Sequence, residues 1–297
     1  PDAAPAPPPP NRPRLQGRPA EPARAPGPLN WNAALVSSYA ARLVVLEDAA
    51  GSEVAVPVRH QVSLDYLFAI GLGDRVALGL SLPSLLYQEG DLIEAAVAEA
   101  GPLPTSALGD VALTAKAVLL PAGDLGGLAL GAVARVTLPT GDPASYVSEG
   151  TATGELRVLS ELSLVALGLR ATAGVKVRGE ETIFVGQRFG HELPWGAALV
   201  LRPQALGWDD KGRWSWAVET HGAIALTPSF GAAAGSPASI GPTARYTPSE
   251  LSFLAGAELP LSSAVGTPAL RVVLGLGLSL IHISEPTRLR RISYAVF

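Results

Sequence analysis

RVALGLSLPSLLY, residues 75–87, decides the fold. Val76, Leu78, Leu80, Leu82 and Leu86 hold the even positions; Arg75, Ala77, Gly79, Ser81 and Pro83 hold the odd ones. Large apolar groups on one face and small or polar groups on the other give the period of two expected of a strand. A helix would turn Leu78 and Leu80 about 200° apart and leave no coherent face.

The same alternation recurs on both sides of this stretch. Val111, Leu113, Ala115, Ala117 and Leu119 alternate with Asp110, Thr114 and Lys116, and Leu128 to Leu138 alternate with Gly131, Arg135 and Thr137. Leu169 to Val177 alternate with Arg170, Thr172, Lys176 and Arg178, and Leu270 to Leu278 alternate with Arg271, Gly275 and Gly277. Each run has roughly the 10 residues that a tilted membrane strand needs. The pattern predicts about twelve strands, near 31–48, 53–70, 75–87, 107–120, 128–138, 153–164, 168–178, 182–202, 213–225, 237–246, 251–261 and 267–279. Tight connections at 71–74, 121–127, 166–168 and 247–250 alternate with longer ones at 88–106, 139–151 and 226–236. Short turns on one rim and long loops on the other are the habit of outer-membrane barrels. The expected fold is therefore all-β: an antiparallel up-and-down transmembrane barrel, with both chain ends on the periplasmic side.

Composition agrees. Hydrophobic residues make up 48% of the 297 residues and charged residues 16%, against about 25% charged in soluble domains. No apolar run reaches 18 residues, so a membrane helix is excluded and the apolar surplus is spread over short pieces. The 32 Gly and 27 Pro punctuate those pieces as turns. With no Cys there is no disulfide framework and no thiolate ligand or nucleophile. A net charge of −4 offers no basic footprint, so nucleic acid is not an expected partner. The chain lacks Met and begins with Pro, so it is expected to be a mature chain or a fragment.

Three segments follow. Residues 1–30 are rich in Pro and Ala with scattered Arg12, Arg14, Arg18 and Arg24, and are expected to form a disordered, spacing lead-in. Residues 31–279 are the barrel. Residues 280–297, which include IHISEPTRLRRISYAVF, break the alternation. That tail resembles peptide translated from sequencing-adapter DNA, and is expected to be non-native or disordered, with the true chain continuing into a lost part.

The polar face carries Asp65, Arg75, Lys116, Arg135, Arg157, Glu161, Arg170, Lys176, Arg188, Glu192, Glu219, His221, Glu258 and Arg271. A charge facing lipid at mid-depth costs roughly 2–4 kcal/mol, so these side chains are expected to face the lumen. The interior would be a wet space of mixed charge, intermediate between small filled barrels and 16–18-stranded porins. Trp31, Tyr39, Tyr66, Phe68, Tyr87, Trp195, Trp214 and Trp216 fall where interfacial girdles belong, although aromatics total only 6%.

No site for chemistry emerges. His60, His191, His221 and His282 lack metal-ligand spacing. His221 with Glu219 reads either as a proton-active pair or, more simply, as two inward polar groups on one strand. The glycines of 71–74 and 125–127 lack the Lys and following helix of a phosphate loop. Asp209 and Asp210 read as turn residues, and no G-x-S-x-G elbow occurs. Neither a cofactor nor a metal is expected, and the chain is not expected to be an enzyme.

The phrases IGLGDRVALGLSLPSLLYQEGD (70–91), ALGDVALTAKAVLL (107–120), RVTLPTGDP (135–143) and VGTPALRVVLGLGLS (265–279) resemble the barrel region of Gram-negative OmpA family proteins. They are also similar to transport-type outer-membrane barrels of the phenol-degradation-pathway group. The resemblance covers roughly 31–279 and implies a structural role in the envelope. Its expected partners are outer-membrane lipid, lipopolysaccharide and the barrel-assembly machinery, with peptidoglycan reached only through a downstream domain missing here. Two other functions remain open: small-solute transport through a porin-like lumen, and surface adhesion through loops 88–106 and 226–236.

Overall fold

The computed structural model describes residues 23, 29–47, 53–91, 104–122, 127–142, 145, 147–184, 187–226, 236–264 and 266–280. Twelve strands make the wall: β1 (Trp31–Glu47), β2 (Glu53–Gly71), β3 (Val76–Glu89), β4 (Val111–Leu120), β5 (Gly127–Leu138), β6 (Thr153–Ser163), β7 (Leu167–Arg178), β8 (Glu192–Leu201), β9 (Trp214–Ala225), β10 (Ala238–Tyr246), β11 (Leu251–Pro260) and β12 (Leu270–Leu280). Each pairs antiparallel with its successor. The sheet closes where β12 meets β1, in a ladder running from Trp31↔Leu280 to Ala41↔Leu270. Closure pairs every wall strand on both sides, which is what hydrocarbon demands of backbone polar groups.

The alternation read from 75–87 places Leu78 and Leu80 on the exposed face and Ala77 and Ser81 on the buried one. Exposed large apolar side chains occur on every strand but β10. So much apolar surface far exceeds the few hundred Å² that soluble monomers expose; it is the wall of a membrane barrel.

Two expected runs are broken. The run over 182–202 divides into a small hairpin, Thr182–Phe184 with Gln187–Phe189, outside the barrel sheet, and β8. Gly190, which lacks a side chain to pack, separates them. The run over 107–120 divides at Gly109: Ala107–Leu108 pairs with Ser84–Leu85, and β4 begins at Val111. A Cβ on Gly109 would lie 2.7 Å from both the Pro83 ring and the Val147 carbonyl oxygen. Only glycine admits this close approach.

The turns at 72–75, 164–166 and 247–250 share a rim with the start of β1 and the end of β12. The chain enters there, with Leu29 N–H donating to the Gly71 carbonyl at 3.0 Å and Gly71 N–H to the Asn30 carbonyl at 2.9 Å. The opposite, loop rim is uneven, because β1 and β2 have 17 and 19 residues and β10 has 9. Ala23 lies inside the barrel, fully buried against Ala129, Val133 and Leu159. Apart from residues 23, 29 and 30, the expected lead-in 1–30 lies outside the described residues; so does the tail beyond Leu280.

Candidate functional site: the charged inner face

Charged side chains occupy the inner face at three levels, because strands of period two deliver every second residue inward. At the turn rim, Lys116 (3% exposed) and Glu161 (1% exposed) are buried on β4 and β6. Arg170 Nε of β7 stands 3.7 Å from Glu161, and Arg202 Nη2, just past β8, stands 3.8 Å from it. Arg202 also donates to the carbonyls of Leu164 and Leu167 and to Ser163 Oγ, clamping the β6–β7 turn.

Nearer the loop rim, Asp65 of β2 interacts electrostatically with Arg135 of β5 and Arg271 of β12, strands on either side of it in the wall. Arg135 donates to Ser81 Oγ of β3 at 3.0 Å, passing across β4. Arg271 Nη1 and His221 Nε2 approach the Glu258 carboxylate at 3.8 and 3.9 Å. Thr243 donates to Glu219 at 2.8 Å. Arg157 pairs with Glu155 two residues earlier on β6. Contacts of 3.7–3.9 Å exceed hydrogen-bond length and are ion pairs rather than direct hydrogen bonds.

At the loop rim, the segment between β5 and β6 folds onto the wall. Asp110, 4% exposed, accepts from Gly141 N–H at 2.9 Å, Ser148 Oγ at 2.8 Å and Glu149 N–H at 2.8 Å. This places Glu149 against Lys176 and Arg178 of β7. Both cations also reach Glu192 of β8, at 3.6 and 3.2 Å. Burial raises the Glu149 carboxyl's affinity for its proton, but the two cations outweigh it and hold the group below the usual glutamate range.

Twelve of the fourteen residues singled out from sequence lie along this face, contributed by β2, β4–β9, β11 and β12. Arg75 differs: it sits exposed in the turn before β3, at the rim rather than within the barrel. The Arg188 side chain lies outside the described residues. Asp110 and Arg178 fall on the polar side of the alternation in sequence but were not counted among the lumen-facing charges, and Glu155, Glu149 and Arg202 were not singled out. Glu155 keeps the parity of Arg157, so strict alternation would have found it. Glu149 and Arg202 lie beyond strand ends, where periodicity carries no signal. Among the described residues no three His, Asp or Glu side chains group as metal ligands.

Aromatic side chains gather on the outer turn rim: Trp214 and Tyr246 have ring centroids 4.7 Å apart, Trp31 and Phe68 6.2 Å, Trp208 and Trp216 6.4 Å.

No family model matches the chain, and no curated protein matches it in sequence. Its fold is shared with solved outer-membrane channels. An outer-membrane channel from Pseudomonas putida F1 superposes with a TM-score of 0.59 at 17% identity, over 86% of this chain and 97% of that one. The NanC porin gives 0.52 at 7% identity, over 84% and 99%. The KdgM porin, solved in complex with disordered oligogalacturonate, gives 0.50 at 5%, also over 84% and 99%. With a membrane-facing apolar wall and this architecture, the chain has the fold of a Gram-negative outer-membrane channel barrel and is seated in that membrane.

Proposed function

We propose that the chain is a narrow, porin-like channel for small solutes across the outer membrane. The observation that supports it best is the inward-facing group of Asp65, Arg135, His221, Glu258 and Arg271, set inside a wall that is apolar outside. Charges in a dry interior cost several kcal/mol each. Charges of both signs facing inward suit a hydrated lumen instead. The channel fold of the similar structures points the same way. Single-channel recording in a planar bilayer tests it: discrete conductance steps are expected, and a folded barrel that passes no current would refute it.

A second reading, a sealed barrel with a structural role in the envelope, draws on Ala23 packed inside the wall and on the phrases that resemble OmpA family barrels. The same recording separates the two. In either case the proposed partners are outer-membrane lipid, lipopolysaccharide and the barrel-assembly machinery.

A further inference from the structure

The outer wall carries an apolar groove whose origin is legible in strand register. Hydrogen-bonded pairing lines up Leu35, Leu276, Phe253, Tyr246 and Trp214 as one continuous row across β1, β12, β11, β10 and β9. The next outward row, two residues further along each strand, runs through Leu64, Ser37, Leu274, Ala255, Ala244 and Trp216. The small side chains of Ala255 and Ala244, set beside the row of large ones, leave a concavity of about 480 Å³. β10, the strand without an exposed large apolar side chain, crosses its floor.

We infer that this groove is a lipid site: it holds one acyl chain of a membrane phospholipid, with the headgroup beside Trp214 and Tyr246. Four observations support that occupant. The lining carries no charged side chain. The groove is closed toward the lumen, because Leu254 and Val273 pack with Ala34 and Val36 on the inner side of the same strands, so it opens only to the bilayer. Its small floor at Ala255 and Ala244 runs along the hydrogen-bonding direction at roughly 4.8 Å per strand; that makes a narrow hollow that takes a stretch of one hydrocarbon chain. It ends at the Trp214–Tyr246 pair on the turn rim, and Trp and Tyr sit at headgroup level. A second barrel would bring another convex wall, which cannot enter a trough one row wide, and an unfilled trough forfeits the dispersion contacts of its lining.

The full chain, folded in detergent and stripped of lipid, would be titrated with phosphatidylethanolamine and followed by native mass spectrometry. A one-lipid adduct is expected. It should fall at least tenfold in an Ala244→Phe/Ala255→Phe variant, which fills the floor, and stay unchanged in Ala171→Phe, which adds the same ring on the exposed face of β7. Gel mobility with and without boiling confirms that each variant folds. Should the double variant not fold, Ala255→Val serves, with a smaller loss expected. No adduct on the unmodified chain, or equal adducts on all variants, overturns the site. A dimer that the filled variant abolishes, without any lipid adduct, overturns it in favour of a second copy.

Discussion

Glu149 and Arg178 meet at the loop rim, with Arg178 Nε donating to the Glu149 carboxylate at 2.7 Å. One comes from a loop and the other from the end of β7, so the contact ties an irregular segment to the barrel wall. Lys176 and Glu192 complete the cluster.

This contact gives a pH dependence of definite sign. The folded-state affinity of Glu149 for its proton is lowered, burial being outweighed by Lys176 and Arg178. A carboxyl so lowered contributes stability that is fully present above its unfolded value, about 4.3, and is lost as pH falls through the folded one. The segment 147–150 should therefore stay protected from hydrogen exchange between pH 7 and 5 and open only in more acid solution. Opening between pH 7 and 6 would show that this ion pair does not hold it.

Asp110 organises the same segment from below through three accepted hydrogen bonds. Asp110→Ala removes all three and should cost on the order of 2 kcal/mol of local stability. Limited proteolysis of the folded barrel should then cut within 139–150, while Asp110→Asn, which keeps an acceptor oxygen, is cut less. Equal resistance in all three proteins would contradict this role.

Along the inner face the sign of a charge change is predictable for an open channel. Asp65→Asn removes a negative charge that faces Arg135 and Arg271 and should move the reversal potential in a salt gradient toward anions. Arg271→Gln should move it toward cations, through Glu258 at 3.8 Å. Shifts in the same direction would place these charges off the ion path.

Gly241 is held by backbone contact. A Cβ there would fall 1.7 Å from the Ala257 carbonyl oxygen of the neighbouring β11. Gly241→Ala should lower the midpoint of urea unfolding, with a cost of roughly 1–3 kcal/mol typical of overpacking. An unchanged midpoint would show that β10 and β11 separate freely.

The barrel was legible in the sequence because period two is a physical signature of a sheet with one face in lipid. Strand limits over 31–47 and 153–163 follow the alternation within a residue. It failed where tertiary contact overrode local pattern, at Gly109 and Gly190. Asp65 and Arg271 were readable as inward groups by parity alone. Their grouping with Arg135 was not, since it depends on which strands face one another across the closed wall. Glu149 and Arg202 lie in connections, so only the folded chain brings them to the site.

The absence of native cysteine allows the most direct test of the central claim, a closed barrel apolar outside and charged within. Single cysteines at Leu169, Arg170, Ala171, Thr172 and Ala173 of β7, each spin-labelled in lipid vesicles, report exposure to oxygen in the bilayer against a water-soluble nickel chelate. The predicted result is strict alternation: labels at 169, 171 and 173 favour oxygen, and labels at 170 and 172 are shielded from it. Alternation of the opposite phase, or none, would contradict the barrel described here.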